Sequence, residues 1–83
     1  MTMAALRIRQ RLAEIKLPTP AIWGDKDTWI NFDNVLHIVR RISGCRLYVF
    51  RGVGHDTLLE VPGPFTGMVV DFVEAARARA PAP

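Results

Sequence analysis

The run Leu47-Tyr48-Val49-Phe50 restricts this chain more than any other feature. Strand side chains alternate between faces, so Leu47 and Val49 point one way, Tyr48 and Phe50 the other. All four are apolar, which predicts a strand covered on two sides, as in a parallel sheet sandwiched between helices. A second short apolar run, Ala21-Ile22-Trp23, ends at Gly24 and follows Pro18 and Pro20, which forbid helix and extend their neighbours. Between the two runs lies a helical pattern. Asn31 or Asp33 serves as N-cap. Val35, Leu36, Ile38, Val39 and Ile42 form one apolar stripe, Arg40 and Arg41 suit the negative end, and Gly44 stops the helix. His37 falls off the stripe, beside Arg40 and Arg41, and reads as a surface histidine. After the loop GVGHDTLLEVPG, Pro64 suits the first turn of a last helix with the stripe Phe65, Met68, Val69, Phe72, Val73 and Ala76. A ragged apolar face over about residues 2–15 (Ala5, Leu6, Ile8, Leu12, Ile15) adds a first helix.

The expected fold class is therefore α/β, in the order helix, strand, helix, strand, helix, with the two strands joined by a parallel crossover. The 83 residues form a single partial domain: a lead-in over 1–17, a βαβα unit over 18–76 and a frayed tail over 77–83. An apolar share of 49% with 23% charge excludes disorder, and no run reaches the length of a membrane span. The first residues form no signal-peptide h-region. Cys45 is the only cysteine, so no intrachain disulfide can form, and a cytoplasmic location is expected. The net charge is +3, and the basic residues are not gathered into one interior stripe: Arg7, Arg9 and Arg11 lie near one end, Arg77 and Arg79 near the other. Scattered charge of this kind reads as solvated helix faces, so neither nucleic acid nor membrane is expected as a partner. No cofactor and no metal is expected.

Both strands run the same way, so the loops leaving them, 24–30 and 51–62, emerge on one edge, the edge where open α/β sheets bind ligands. The first loop offers Asp25 and Asp27 and the second offers His55. A histidine acting as a base needs a fixed tautomer and orientation, and a carboxylate on one ring nitrogen supplies both and stabilises the imidazolium. The other nitrogen can then activate a hydroxyl or thiol. Asp25, next to Gly24, reads as a turn former, leaving Asp27 as the partner. Glu60 reads as a brace for the histidine loop. Trp23 reads as core, and Trp29 either lines a pocket or packs on the neighbouring helix.

The stretches PTPAIWGDKD and GCRLYVFRGVGHDTLLEVPGPF, followed by an apolar helix, resemble the C-terminal third of an α/β hydrolase. In that family the nucleophile comes first, then the acid, then the histidine. The acid motif P-T-φ-φ-φ-W-G-x-x-D is matched by Pro18, Thr19, Trp23, Gly24 and Asp27. The histidine motif G-x-G-H-x-x-x-x-E-x-P is matched by Gly52, Gly54, His55, Glu60 and Pro62. The resemblance spans residues 15 to 75 and is nearest in flavour to esterases, epoxide hydrolases and carbon–carbon bond hydrolases. It implies that the chain corresponds to a C-terminal fragment of such a hydrolase, with Asp27 as triad acid and His55 as triad base for a small-molecule ester or related bond. Two departures, Asn31 where the family usually has a proline nearby and Asp56 where an aromatic often follows the histidine, bear on the substrate class.

No nucleophile elbow of G-x-S-x-G form occurs, and no oxyanion loop. Ser43 and Cys45 lie before the second strand, at the wrong edge, and Thr57 has no elbow around it. The chain alone is therefore expected to be inactive. Its open sheet edge predicts self-association or pairing with the N-terminal portion of a hydrolase. The alternative is a non-catalytic remnant that works as an interaction module through that same edge.

Overall fold

The computed structural model describes residue 7 and residues 9–79 of the 83. Of the helix expected over 2–15, residues 9–11 are α-helical and run into a 3-10 turn at Leu12–Glu14; residues 1–6 and 8 lie outside the described residues. The prolines then extend the chain into β1, Pro20–Gly24. Helix α1, Phe32–Arg41, starts where the Asn31 side-chain oxygen Oδ1 accepts the N–H of Asn34 at 3.0 Å. Asp33 sits in its first turn and Arg40 and Arg41 in its last, matching both ends of its dipole. Gly44 reverses the chain at φ +72°, a conformation that favours glycine. Strand β2, Arg46–Phe50, follows.

The strands pair in parallel, with Ala21 opposite Leu47, Ile22 opposite Tyr48 and Trp23 opposite Val49. Helices lie on opposite faces. On one, Phe32 of α1 meets Trp23 with ring centroids 5.2 Å apart. On the other, Tyr48 meets Phe72 edge-on at 6.2 Å. Phe72 belongs to the last helix, α3, Pro62–Arg79. That helix begins two residues before Pro64 and carries regular structure through Arg79, into the segment expected as a frayed tail; residues 80–83 lie outside the described residues. A further short helix, α2, Thr57–Glu60, occupies the middle of what reads in the sequence as a loop. Asp56 ahead of Thr57-Leu58-Leu59-Glu60 is an N-cap signal that could have found it.

The core is small. Among the described residues the buried apolar side chains are Val35, Ile42, Val53 and Phe72. The radius of gyration is 14.2 Å, against about 12 Å for a compact chain of this length. Cover on the strands is accordingly partial: Val49 is 44% exposed, because α1 sits over β1 on that face and leaves β2 open. No helix among the described residues is long and apolar enough to cross a membrane.

Strand β1 also keeps a free edge. The N–H of Arg46 donates to the Thr19 carbonyl at 3.1 Å and the N–H of Asp25 to the Phe50 carbonyl at 3.0 Å. Alternate residues of a strand face the same neighbour, so Thr19, Ala21, Trp23 and Asp25 address β2. Pro20, Ile22 and Gly24 turn their backbone the other way. Pro20 has no N–H, and the Gly24 carbonyl already accepts the N–H of Asp27 at 3.0 Å. The outward groups are thus the Pro20 carbonyl, both groups of Ile22 and the Gly24 N–H.

Candidate active site

The site stands at the carboxyl ends of the two strands, and backbone contacts between the two loops assemble it. Gly24 is buried, and a side chain there would run into the carbonyl oxygens of Val53 and Gly54. Only glycine lets the loop leaving β1 pass this close to the loop leaving β2. Immediately beyond it, the N–H of Lys26 donates to the Val53 carbonyl at 2.8 Å. The Asp25 carboxylate accepts the N–H of Gly52 at 2.6 Å. Asp25 is therefore more than the turn former expected: it bridges the loops 27 positions apart and pins the glycine that turns at φ +72°. No sequence signal separates such an aspartate from a turn residue, because the partner is a backbone group.

Asp27 and His55 come together. The His55 Nδ1–H donates to Asp27 Oδ2 at 2.9 Å. The other carboxylate oxygen, Oδ1, accepts the N–H groups of Trp29 at 2.8 Å and Ile30 at 3.0 Å. Ile30 is held in turn, since the Trp23 indole N–H donates to its carbonyl at 2.9 Å. The Asp27 side chain is only 4% exposed, while that of His55 is 40% exposed. A carboxylate walled in and donated to from three sides thus faces an imidazole that keeps contact with solvent.

The electrostatics follow from these contacts. Burial by itself would push the Asp27 carboxyl up, but the Ile30 N–H, His55 and the Trp29 N–H together hold it below the ordinary carboxylate value. The hydrogen bond to Asp27 pushes the His55 imidazole above its ordinary value; burial opposes this, and the charges of Asp27 and Asp56 add to it. Each member thus favours the charged form of the other. His37 behaves oppositely: it is half-buried, and burial with the Arg41 and Arg9 charges lowers it.

The histidine loop has its own brace. Glu60 Oε2 accepts the N–H of Gly54 at 2.9 Å, so α2 ties its end back to the residue before His55. The indole of Trp29 lies against the imidazole with centroids 4.8 Å apart and planes 35° apart. The sequence leaves Trp29 between a pocket wall and a helix contact, and nothing local in it signals the contact with His55, 26 positions on.

A groove of about 320 Å³, walled by β1 and by Val35 and Ile38 of α1, runs from Asp27 and His55 at this edge to Cys45 near the other end. Cys45 and Ser43 precede β2, so roughly 16 Å of strand separates them from His55. Burial also raises the Cys45 thiol, which disfavours the reactive thiolate. Among the described residues no group of three or more histidine, cysteine and carboxylate side chains is arranged to hold a metal ion.

Two parallel strands joined through a helix, with helices on opposite faces, form the C-terminal part of an α/β-hydrolase fold, and this chain has that fold. Its relatives are hydrolases of the same type. It is 38% identical to 2-hydroxy-6-oxononadienedioate/2-hydroxy-6-oxononatrienedioate hydrolase 2 of Pseudomonas putida over 64 residues, 77% of this chain and 22% of that protein. A crystal structure of a hydrolase from Pseudomonas aeruginosa matches 80% of the chain at a TM-score of 0.71 and 33% identity. An α/β hydrolase from a lagoon-sediment metagenome matches 86% at a TM-score of 0.78 and 25% identity. The chain spans about a quarter of the Pseudomonas aeruginosa structure and a third of the metagenomic one. No family model matches it.

Proposed function

We propose that this chain supplies the acid and the histidine of a Ser-Asp-His triad in an α/β hydrolase that acts on a small-molecule ester or related bond. Asp27 is the acid and His55 the base. The observation that carries this reading is the 2.9 Å contact between Nδ1 and a carboxylate whose second oxygen is held by two backbone N–H groups. A carboxylate so fixed cannot swing away. It keeps the proton on Nδ1 and leaves Nε2 as the basic nitrogen, the arrangement a serine hydroxyl needs to lose its proton during attack. The chain's own serine and cysteine lie at the far end of β2, so the isolated chain does not turn over. The nucleophile comes from an N-terminal hydrolase portion, in a cytoplasmic setting.

The test is complementation. The chain is assayed with a p-nitrophenyl ester and with a 2-hydroxy-6-oxo dicarboxylate such as the Pseudomonas putida relative's name specifies, alone and with the N-terminal portion of that hydrolase. Expected are no turnover alone and turnover in the mixture. Asp27→Asn should lower it on the order of 10⁴-fold, as in a serine protease whose triad acid becomes an amide. A reconstituted enzyme unaffected by His55→Ala refutes the assignment.

One observation favours a second reading, an interaction module: the outward backbone groups of Ile22 offer a strand-pairing edge without any chemistry. Ile22→Pro removes the outward N–H and leaves the β2 ladder, which uses the neighbouring residues, in place. If this reading holds, the variant sediments as a monomer where the natural chain associates. Unchanged association removes it.

A further inference from the structure

The pairing of Asp27 with His55 leaves Trp29 unexplained. The residue is 77% exposed, far more than a tryptophan that serves a core, yet its indole lies 4.8 Å from the imidazole. Its backbone N–H meanwhile donates to Asp27 Oδ1 at 2.8 Å. A single residue thus addresses both members of the pair, the carboxylate through its main chain and the imidazole through its ring. The placement follows from the local sequence. Asp27 accepts from the N–H groups two and three residues on, a turn that aspartate favours, and Trp23 holds the end of that turn through Ile30. Trp29 is carried around the turn to the His55 side.

We propose that Trp29 is a positioning residue for His55: its indole face caps the imidazole, keeps Nδ1 on Asp27 and stabilises the imidazolium formed when the ring takes a proton. This rests on the acid–histidine reading given above. An aromatic face attracts a cation held within about 6 Å of its centroid, and the 4.8 Å separation lies inside that range. The other charged groups facing the imidazole are Asp27, through the hydrogen bond, and Asp56, next in the chain. Asp27 acts through its hydrogen bond and its charge, Asp56 through charge alone; Trp29 adds an uncharged surface that restrains the ring's rotation. Trp29 itself does not touch the reacting atoms in this scheme.

The experiment is an NMR titration of the His55 ring protons in the full chain, with His37→Gln to assign the two histidines. Four proteins are compared: the natural chain, Trp29→Leu, Trp29→Phe and Asp27→Asn. In the natural chain, cross-relaxation between indole and imidazole protons is expected, with the ring-current displacement of a proton lying over an indole. Trp29→Leu should remove that displacement and lower the ratio of imidazolium to imidazole at fixed pH about two- to fivefold, the factor for an exposed cation–aromatic contact. Trp29→Phe should restore part of that ratio. The indole N–H of Trp23, bonded to the Ile30 carbonyl, reports that the loop remains folded. A His55 titration in Trp29→Leu identical to the natural one overturns the proposal, and so does an absence of cross-relaxation in the natural chain. Failure of the underlying reading looks different: Asp27→Asn would leave the His55 midpoint in place instead of lowering it.

Discussion

Gly24→Ala tests the assembly of the site most directly. The added Cβ meets the carbonyl oxygens of Val53 and Gly54 and comes within 2.7 Å of the Val53 carbonyl carbon. All three are backbone atoms, so no side chain can rotate to make room; one loop must move. Forcing a methyl group into packed structure costs about 1–3 kcal/mol, and rigid surroundings place this case near 3 kcal/mol. A domain near the low end of normal stability, about 0.05 kcal/mol per residue, has roughly 4 kcal/mol in all for 83 residues. The substitution thus removes most of the stability. With a urea slope of about 1 kcal/mol per molar, the unfolding midpoint falls by about 3 M.

Gly67→Ala is the matched control, since it is the same change in the exposed interior of α3 with no atom within 4 Å. It should stabilise by about 0.5–1 kcal/mol, raising the midpoint, because alanine loses less backbone freedom than glycine in a helix. The assay is urea unfolding followed by circular dichroism for the three proteins. Where Gly24→Ala remains folded at low urea, the His55 ring signals should also move, because the Val53–Gly54 backbone that must yield leads directly into His55. The reasoning is refuted if Gly24→Ala unfolds within about 0.5 M of the natural chain.

Three further outcomes are expected. The Asp27–His55 contribution to stability should be greatest between about pH 3.8 and 6.5. Asp27, lowered in the fold, contributes above 3.8 and loses this as pH falls through its folded value; His55, raised, contributes below 6.5 and loses it as pH rises through its folded value. Urea midpoints against pH in a His37→Gln background should show this maximum, and Asp27→Asn should flatten it; the background matters because His37, lowered in the fold, opposes stability as pH falls below 6.5. Asp25→Ala removes the acceptor of the Gly52 N–H, which water can then reach, and should cost about 0.5–1.5 kcal/mol by the same unfolding measurement, while Asp25→Asn, which keeps an acceptor, should cost less. Asn31→Ala removes the cap on the Asn34 N–H and should cost about 1 kcal/mol, read as a lower thermal midpoint.

What was legible in the sequence divides along a physical line. Periodicity and turn chemistry are local, and from them the parallel strands, a helix cap at Asn31 or Asp33, the Gly44 turn and α3 could be read. The shared edge for Asp27 and His55 followed as well, because parallel strands must release their loops on one side. What escaped depends on contacts between distant segments. Asp25 looks like any aspartate after a glycine until Gly52 is placed beside it. Trp29 has two equally ordinary uses until the imidazole arrives. Val49 reads as covered because an apolar residue in a strand usually is; its exposure depends on where α1 lies across the sheet, which no residue pattern states. The short helix at Thr57–Glu60 was missed for another reason, that a lone turn flanked by glycine and proline is dominated by its loop signals.

The same division explains how a precise acid–histidine contact can exist above so small a core. Long-range packing contributes little here, since the four buried apolar side chains among the described residues stabilise only a modest volume. The contact geometry comes instead from main-chain groups: Gly24 against Val53 and Gly54, Lys26 on Val53, Asp25 on Gly52, Glu60 on Gly54, and the N–H pair on Asp27. Every one of these joins the two loops or closes one of them on itself. The half-site is thus set by hydrogen bonds within about 40 residues of chain, and its geometry does not wait on a neighbouring strand along β1. It follows that a partner docking on the Ile22 edge should raise the stability of the chain while leaving the His55–Asp27 contact as it is.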